Sequence, residues 1–105
     1  MNTEIIAPQL EALGNARRLD LYRHLVRAGA AGLPVGSLQE RLNIPASTLS
    51  HHLKRLVSTG LVTQERQSTV LICRAHYPAM NALVGFLTDE CCADEGRCDT
   101  RESAA

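Results

Sequence analysis

The triplet Asn43-Ile44-Pro45 constrains this chain more than any other feature. Proline lacks an N–H and disfavours helical backbone at the residue before it, so Ile44 is pushed extended and a new helix must start at Pro45 or Ala46. Before the triplet, Leu38 and Leu42 stand four apart in a brief helical stretch from Gly36 to Leu42. After it, Leu49, Leu53, Leu56 and Val57 recur at helical spacing and should point inward, up to about Thr59, where Gly60 offers a C-terminal cap. Two helices across so tight a turn make a helix-turn-helix.

The flanking pattern fits one small domain. A first short helix is expected from Pro8 to Leu13, and a stronger one from Ala16 to about Ala28, capped by Asn15 and carrying Leu19, Tyr22, Leu25 and Val26. Gly29 and Gly32 end it, and Leu33-Pro34-Val35 reads as extended. Leu61 to Arg66 and Val70 to Arg74 read as a hairpin whose turn, Gln67-Ser68-Thr69, lacks glycine. A last helix is expected from near Pro78 to Cys91, with Met80, Leu83, Val84 and Leu87 as its apolar stripe. The fold class is mainly α with a β-hairpin (α+β). Residues 1–90 form the domain and 91–105 a cysteine-bearing tail.

A net charge of zero conceals an uneven distribution. Residues 45–76 carry Lys54, Arg55, Arg66 and Arg74 against Glu65 alone, whereas residues 77–105 carry six acids against two arginines. The middle of the chain suits a polyanion and the tail does not. No apolar run approaches the roughly 18 residues of a membrane span, and the N-terminus has no signal-peptide pattern, so no membrane partner and a cytoplasmic, thiol-reducing setting are expected.

In the helix after Pro45, Ser47, Thr48, Ser50, His51, Lys54 and Arg55 fall mainly off the apolar face. Small hydroxyls near a helix start allow close approach to a groove, polar side chains reach base edges, and cations further on meet phosphates. Arg66 and Gln67 at the hairpin tip are expected to touch the flanking backbone or minor groove of double-stranded DNA. Ser50-His51-His52 is no catalytic set: adjacent helical residues point about 100° apart and no carboxylate lies near, so His52 reads as packed or capping.

The segments Leu13-Gly14-Asn15-Ala16-Arg17-Arg18-Leu19, Ser50-His51-His52-Leu53-Lys54-Arg55-Leu56 and Gly60-Leu61-Val62 together resemble the ArsR/SmtB family of metalloregulatory repressors, over roughly Leu13 to Leu87. The resemblance implies a winged helix-turn-helix homodimer joined through its first and last helices. It also implies repression of a metal or metalloid resistance operon, relieved when the ion binds. The chain departs from the family in two respects. Many members carry a Cys-x-Cys pair at the start of the short helix before the recognition helix, where this chain reads Leu33-Pro34-Val35-Gly36-Ser37-Leu38. The last helix also offers no histidine.

What remains is Cys91, Cys92 and Cys98 in the acidic tail, similar to family members that sense trivalent arsenic or antimony with cysteines in that region. Adjacent cysteines in a regular helix diverge, but at a fraying end they can converge on one soft ion, and Gly96 lets Cys98 fold back. Three thiolates suit a three-coordinate pyramidal centre, whereas structural zinc wants four ligands. An acid could supply the fourth, so a zinc, cadmium or lead site stays open, as does a redox pair between Cys98 and one of the others. Cys73, in an alternating strand, reads as a small buried residue.

Overall fold

The computed structural model describes residues 3–95. In chain order it contains α1 (Thr3–Leu13), α2 (Ala16–Ala28), a 3-10 turn, β1 (Leu33–Pro34), α3 (Val35–Leu42), α4 (Ala46–Ser58), β2 (Val62–Gln67), β3 (Val70–Ala75) and α5 (Tyr77–Thr88), with a second 3-10 turn at Ala93–Glu95. The strands form one antiparallel sheet in the order β1-β3-β2. The fold is a winged helix-turn-helix, as expected.

Local chemistry accounts for most boundaries. The Asn15 side chain accepts from the backbone N–H of Arg17 and Arg18 at 3.0 and 3.1 Å, satisfying two of the donors that open α2. Asn43 closes α3 in the left-handed region (φ 53°) with its N–H on the Gln39 carbonyl, and Pro45 stands extended before α4. Gly60, at φ 83°, donates to Val57 while Leu61 donates to Leu56, the double bond of a Schellman cap with Leu56 and Leu61 both buried.

The structure revises several expectations. α1 starts at Thr3 rather than Pro8 and carries Pro8 inside it, because Ile6, Gln9 and Ala12 bury one face over its whole length. Leu33-Pro34 is a sheet member, paired with Cys73 and Ile72. That pairing requires Gly32: at φ 69°, a Cβ there would sit 2.5 Å from the Cys73 carbonyl oxygen. The hairpin turn is shorter than expected, since Gln67 pairs with Val70, and Ser68 takes the positive φ of 61° that glycine would usually supply. α5 ends at Thr88, three residues before the first tail cysteine.

The core is aliphatic: Ile6, Leu21, Leu25, Leu38, Leu49, Leu56, Leu61 and Val62 are almost wholly buried. Each such side chain contributes about 1.5–3 kcal/mol of burial free energy. Not every apolar residue joins it. Val57, expected inward on α4, is 37% exposed; Leu83 alone of the α5 stripe is deeply buried, while Val84 and Leu87 are 54% and 59% exposed. Ile5 and Leu10 on α1 are exposed as well. Helical spacing gives a face its character, but only packing decides which faces find a neighbour.

Candidate nucleic-acid interface and thiol site

α4 buries Leu49, His52, Leu53 and Leu56. Ser47, Ser50, His51 and Lys54 lie on its exposed side, spread over about 100° of the circumference at 100° per residue. Ser58, four residues after Lys54, continues the same stripe and was absent from the sequence-based set, although its spacing was legible. Thr48 and Arg55 stand about 100° further round and are half-buried. Arg55 is ion-paired with Glu11 of α1.

Beside the stripe, between α4 and the wing, lies an open cavity of about 370 Å³ lined by Ser50, Lys54, Ser58 and Gln64 over Leu53, Val57 and Leu71. Gln64 is the other residue that sequence reasoning missed, because nothing local says which face of β2 meets α4. Side chains alternate along a strand, so Arg66 shares the Gln64 face while Gln67 shares that of Thr63 and Glu65. The two wing residues grouped by sequence therefore point to opposite faces. Gln67 donates to Glu65 at 3.4 Å. Arg74 binds Glu65 at 2.7 Å and the Ala30 carbonyl at 2.8 Å, which engages it at the sheet. Arg74, then Gln67, hold the Glu65 carboxyl below its ordinary range.

His52 is packed, as expected, with Nδ1 3.3 Å from Arg18 Nη1. Burial, then Arg18, then His51 push its pKa below the ordinary histidine value. Its ring lies 5.9 Å from that of His51, tilted by 52°, and with Ser50 well round the helix from His52 the three make no nucleophile–base pair. Cys73 is buried within the sheet with Gln64 Nε2 at 3.5 Å from its sulfur, and burial pushes its thiol pKa up. Such a thiol is inert.

The chain leaves α5 at Thr88, whose hydroxyl turns back to the Val84 and Gly85 carbonyls. Glu90 and Cys92 then adopt positive φ, 58° and 61°, in two tight turns. This kinked backbone does what a helix could not: it brings Cys91 Sγ and Cys92 Sγ to 3.5 Å. Cys98 lies outside the described residues. Among those described, no three metal-ligating side chains cluster.

A recognition helix behind a tight turn, a polar stripe along it and a hairpin beside it define a DNA-binding protein of the winged-helix class. Residues 13–65 match the model of a helix-turn-helix domain family. The nodulation protein NolR of Rhizobium meliloti is 31% identical over 88 residues, which cover 84% of this chain and 70% of NolR. An ArsR-like transcriptional regulator from Rhodococcus sp. RHA1 superposes with a TM-score of 0.70 at 25% identity, covering 80% of this chain and 76% of that one. The homodimeric winged helix-turn-helix DNA-binding domain Mb0332 from Mycobacterium bovis superposes with a TM-score of 0.65 at 28% identity, covering 83% and 81%. The chain belongs to the ArsR family of winged-helix transcriptional regulators, and its relatives are regulators rather than enzymes. No described helix is long and apolar enough to cross a membrane.

Proposed function

We propose that this regulator is a metalloid-responsive repressor. A homodimer holds double-stranded operator DNA through Ser47, Ser50, His51 and Lys54 of each α4, with Arg66 and Gln67 of each wing alongside. It lets go when trivalent arsenic or antimony is captured by Cys91, Cys92 and Cys98. The exposed apolar residues Ile5 and Leu10 of α1 and Val84 and Leu87 of α5 support a dimer through those helices. So does the homodimeric state of the Mycobacterium bovis domain. Two recognition helices would then meet successive major grooves about 34 Å apart.

The observation that carries the effector is the 3.5 Å between the Cys91 and Cys92 sulfurs. Two bonds of about 2.3 Å to a tetrahedral centre hold thiolates about 3.8 Å apart, and a more acute pyramidal centre holds them closer. Cys98 stands six positions after Cys92, a reach of at most about 20 Å, so the third thiol can come from the same chain. Each As–S bond formed from arsenous acid releases one water, taking the thiol proton and one arsenic hydroxyl; no oxidant is consumed. Capture pins the tail to the end of α5. A coupling free energy of about 1–3 kcal/mol would weaken DNA binding roughly 5- to 150-fold.

The test uses a duplex recovered by the full-length chain from a random-sequence pool. Arsenite should weaken binding of the unaltered chain and leave Cys91→Ser and Cys98→Ser unaffected. Retained response in both variants would remove the site. Release by a thiol oxidant or by zinc, with none by arsenite, would transfer the same cysteines to redox or divalent-metal sensing.

A further inference from the structure

One flank of α4 is fastened to the helices behind it at three successive points. His52 Nδ1 meets Arg18, whose Nε also donates to the Ala12 carbonyl of α1 at 2.7 Å. Arg55 is ion-paired with Glu11 of α1. The Thr59 carbonyl, at the end of α4, accepts from Gln9 Nε2 of α1 at 3.0 Å, and Gln9 is buried. At 100° per residue, His52, Arg55 and Thr59 fall within about 60° of one another and about 100° or more from Lys54. The ties span seven residues, about 10 Å of helix axis. A helix held at one point can pivot about it; one held at three points along one flank cannot tilt or slide without breaking a bond.

We propose that Glu11, acting through Arg55, is a positioning residue for DNA reading: α1 braces the recognition helix and sets the angle at which Ser47, Ser50, His51 and Lys54 meet the groove. Arg55 is then a structural cation rather than a phosphate ligand. Its guanidinium is turned toward α1, 37% exposed, and lies off the polar stripe. Exposed ion pairs stabilise folds only weakly, so the brace shows in the orientation of α4 more than in melting temperature. This inference rests on the DNA-reading face proposed above and is independent of the effector.

A charge exchange separates the alternatives. The unaltered full-length chain, Glu11→Arg, Arg55→Glu and the double variant are titrated against the pool-selected duplex over a range of salt concentrations. Binding by the unaltered chain tests the reading face; the comparison among variants tests the brace. Each single variant should weaken binding by about fivefold, the upper range for one exposed pair. The double variant should recover to within about twofold, with an unchanged dependence on salt. If Arg55 instead touches a phosphate, the double variant binds no better than Arg55→Glu, and its log–log salt slope falls by about 0.9. That result, or singles that bind normally, overturns the proposal. The neutral Glu11→Gln supplies a variant with minimal effect on folding, and it should show the same loss in milder form.

Discussion

Arg18 Nη1 lies 3.3 Å from His52 Nδ1, across thirty-four residues of sequence. Guanidinium only donates, so Nδ1 must accept, and the ring is neutral with its proton on Nε2. Protonation would remove that acceptor and set a second cation against the first.

The consequence for pH has a definite sign. The His52 pKa is lowered in the folded chain, first by burial and then by Arg18. Its contribution to stability is complete above the unfolded value of about 6.5 and is lost as pH falls below that toward the folded pKa. Thermal unfolding between pH 7.5 and 5 should show the chain losing stability on acidification, with a shallower slope in His52→Gln. Equal slopes would mean that His52 is not held neutral.

Gly32 joins β1 to the sheet in backbone that only glycine enters readily, and an added Cβ would collide with the Cys73 carbonyl. Gly32→Ala is expected to cost at least about 2 kcal/mol, from conformational strain and the contact together, as read from the denaturant midpoint. Gly36→Ala, where nothing lies within 4 Å and the φ is ordinary, should cost little.

Lys54 occupies the centre of the exposed stripe of α4 and lines the cavity beside the wing. Lys54→Ala should weaken binding to specific and unrelated duplexes alike and reduce the log–log salt slope by about 0.9 per lost phosphate contact. An unchanged slope would take Lys54 off the phosphate backbone.

Leu87 is 59% exposed near the end of α5, on the apolar face shared with Val84. If that face joins two copies, Leu87→Glu buries a charge at the interface, and sedimentation at micromolar concentration should show the mass falling toward one chain. A variant that sediments like the unaltered protein would place the dimer contact elsewhere.

The helices and their order were legible because their signals are local. Asn15 caps α2, Pro45 starts α4 and Gly60 ends it, each through bonds within four or five residues. The polar stripe of α4 followed from spacing alone, since 3.6 residues per turn puts positions 47, 50, 51 and 54 on one side of any helix. The Cys91-Cys92 pair was visible as composition, and so was the need for a helix end to bring the two thiols together.

Tertiary structure decided what those residues face. Sequence grouped Lys54 with Arg55, but adjacent helical side chains diverge by about 100°, and only the placement of Glu11 showed Arg55 turned to α1. It grouped Arg66 with Gln67, which the pleat sends to opposite faces. It marked Val84 and Leu87 as apolar without saying that their helix would leave them uncovered. Backbone preference is written residue by residue and can be read that way. Which side chain meets a partner forty or fifty positions away is set by packing the whole chain at once, and no stretch of the sequence carries that information alone.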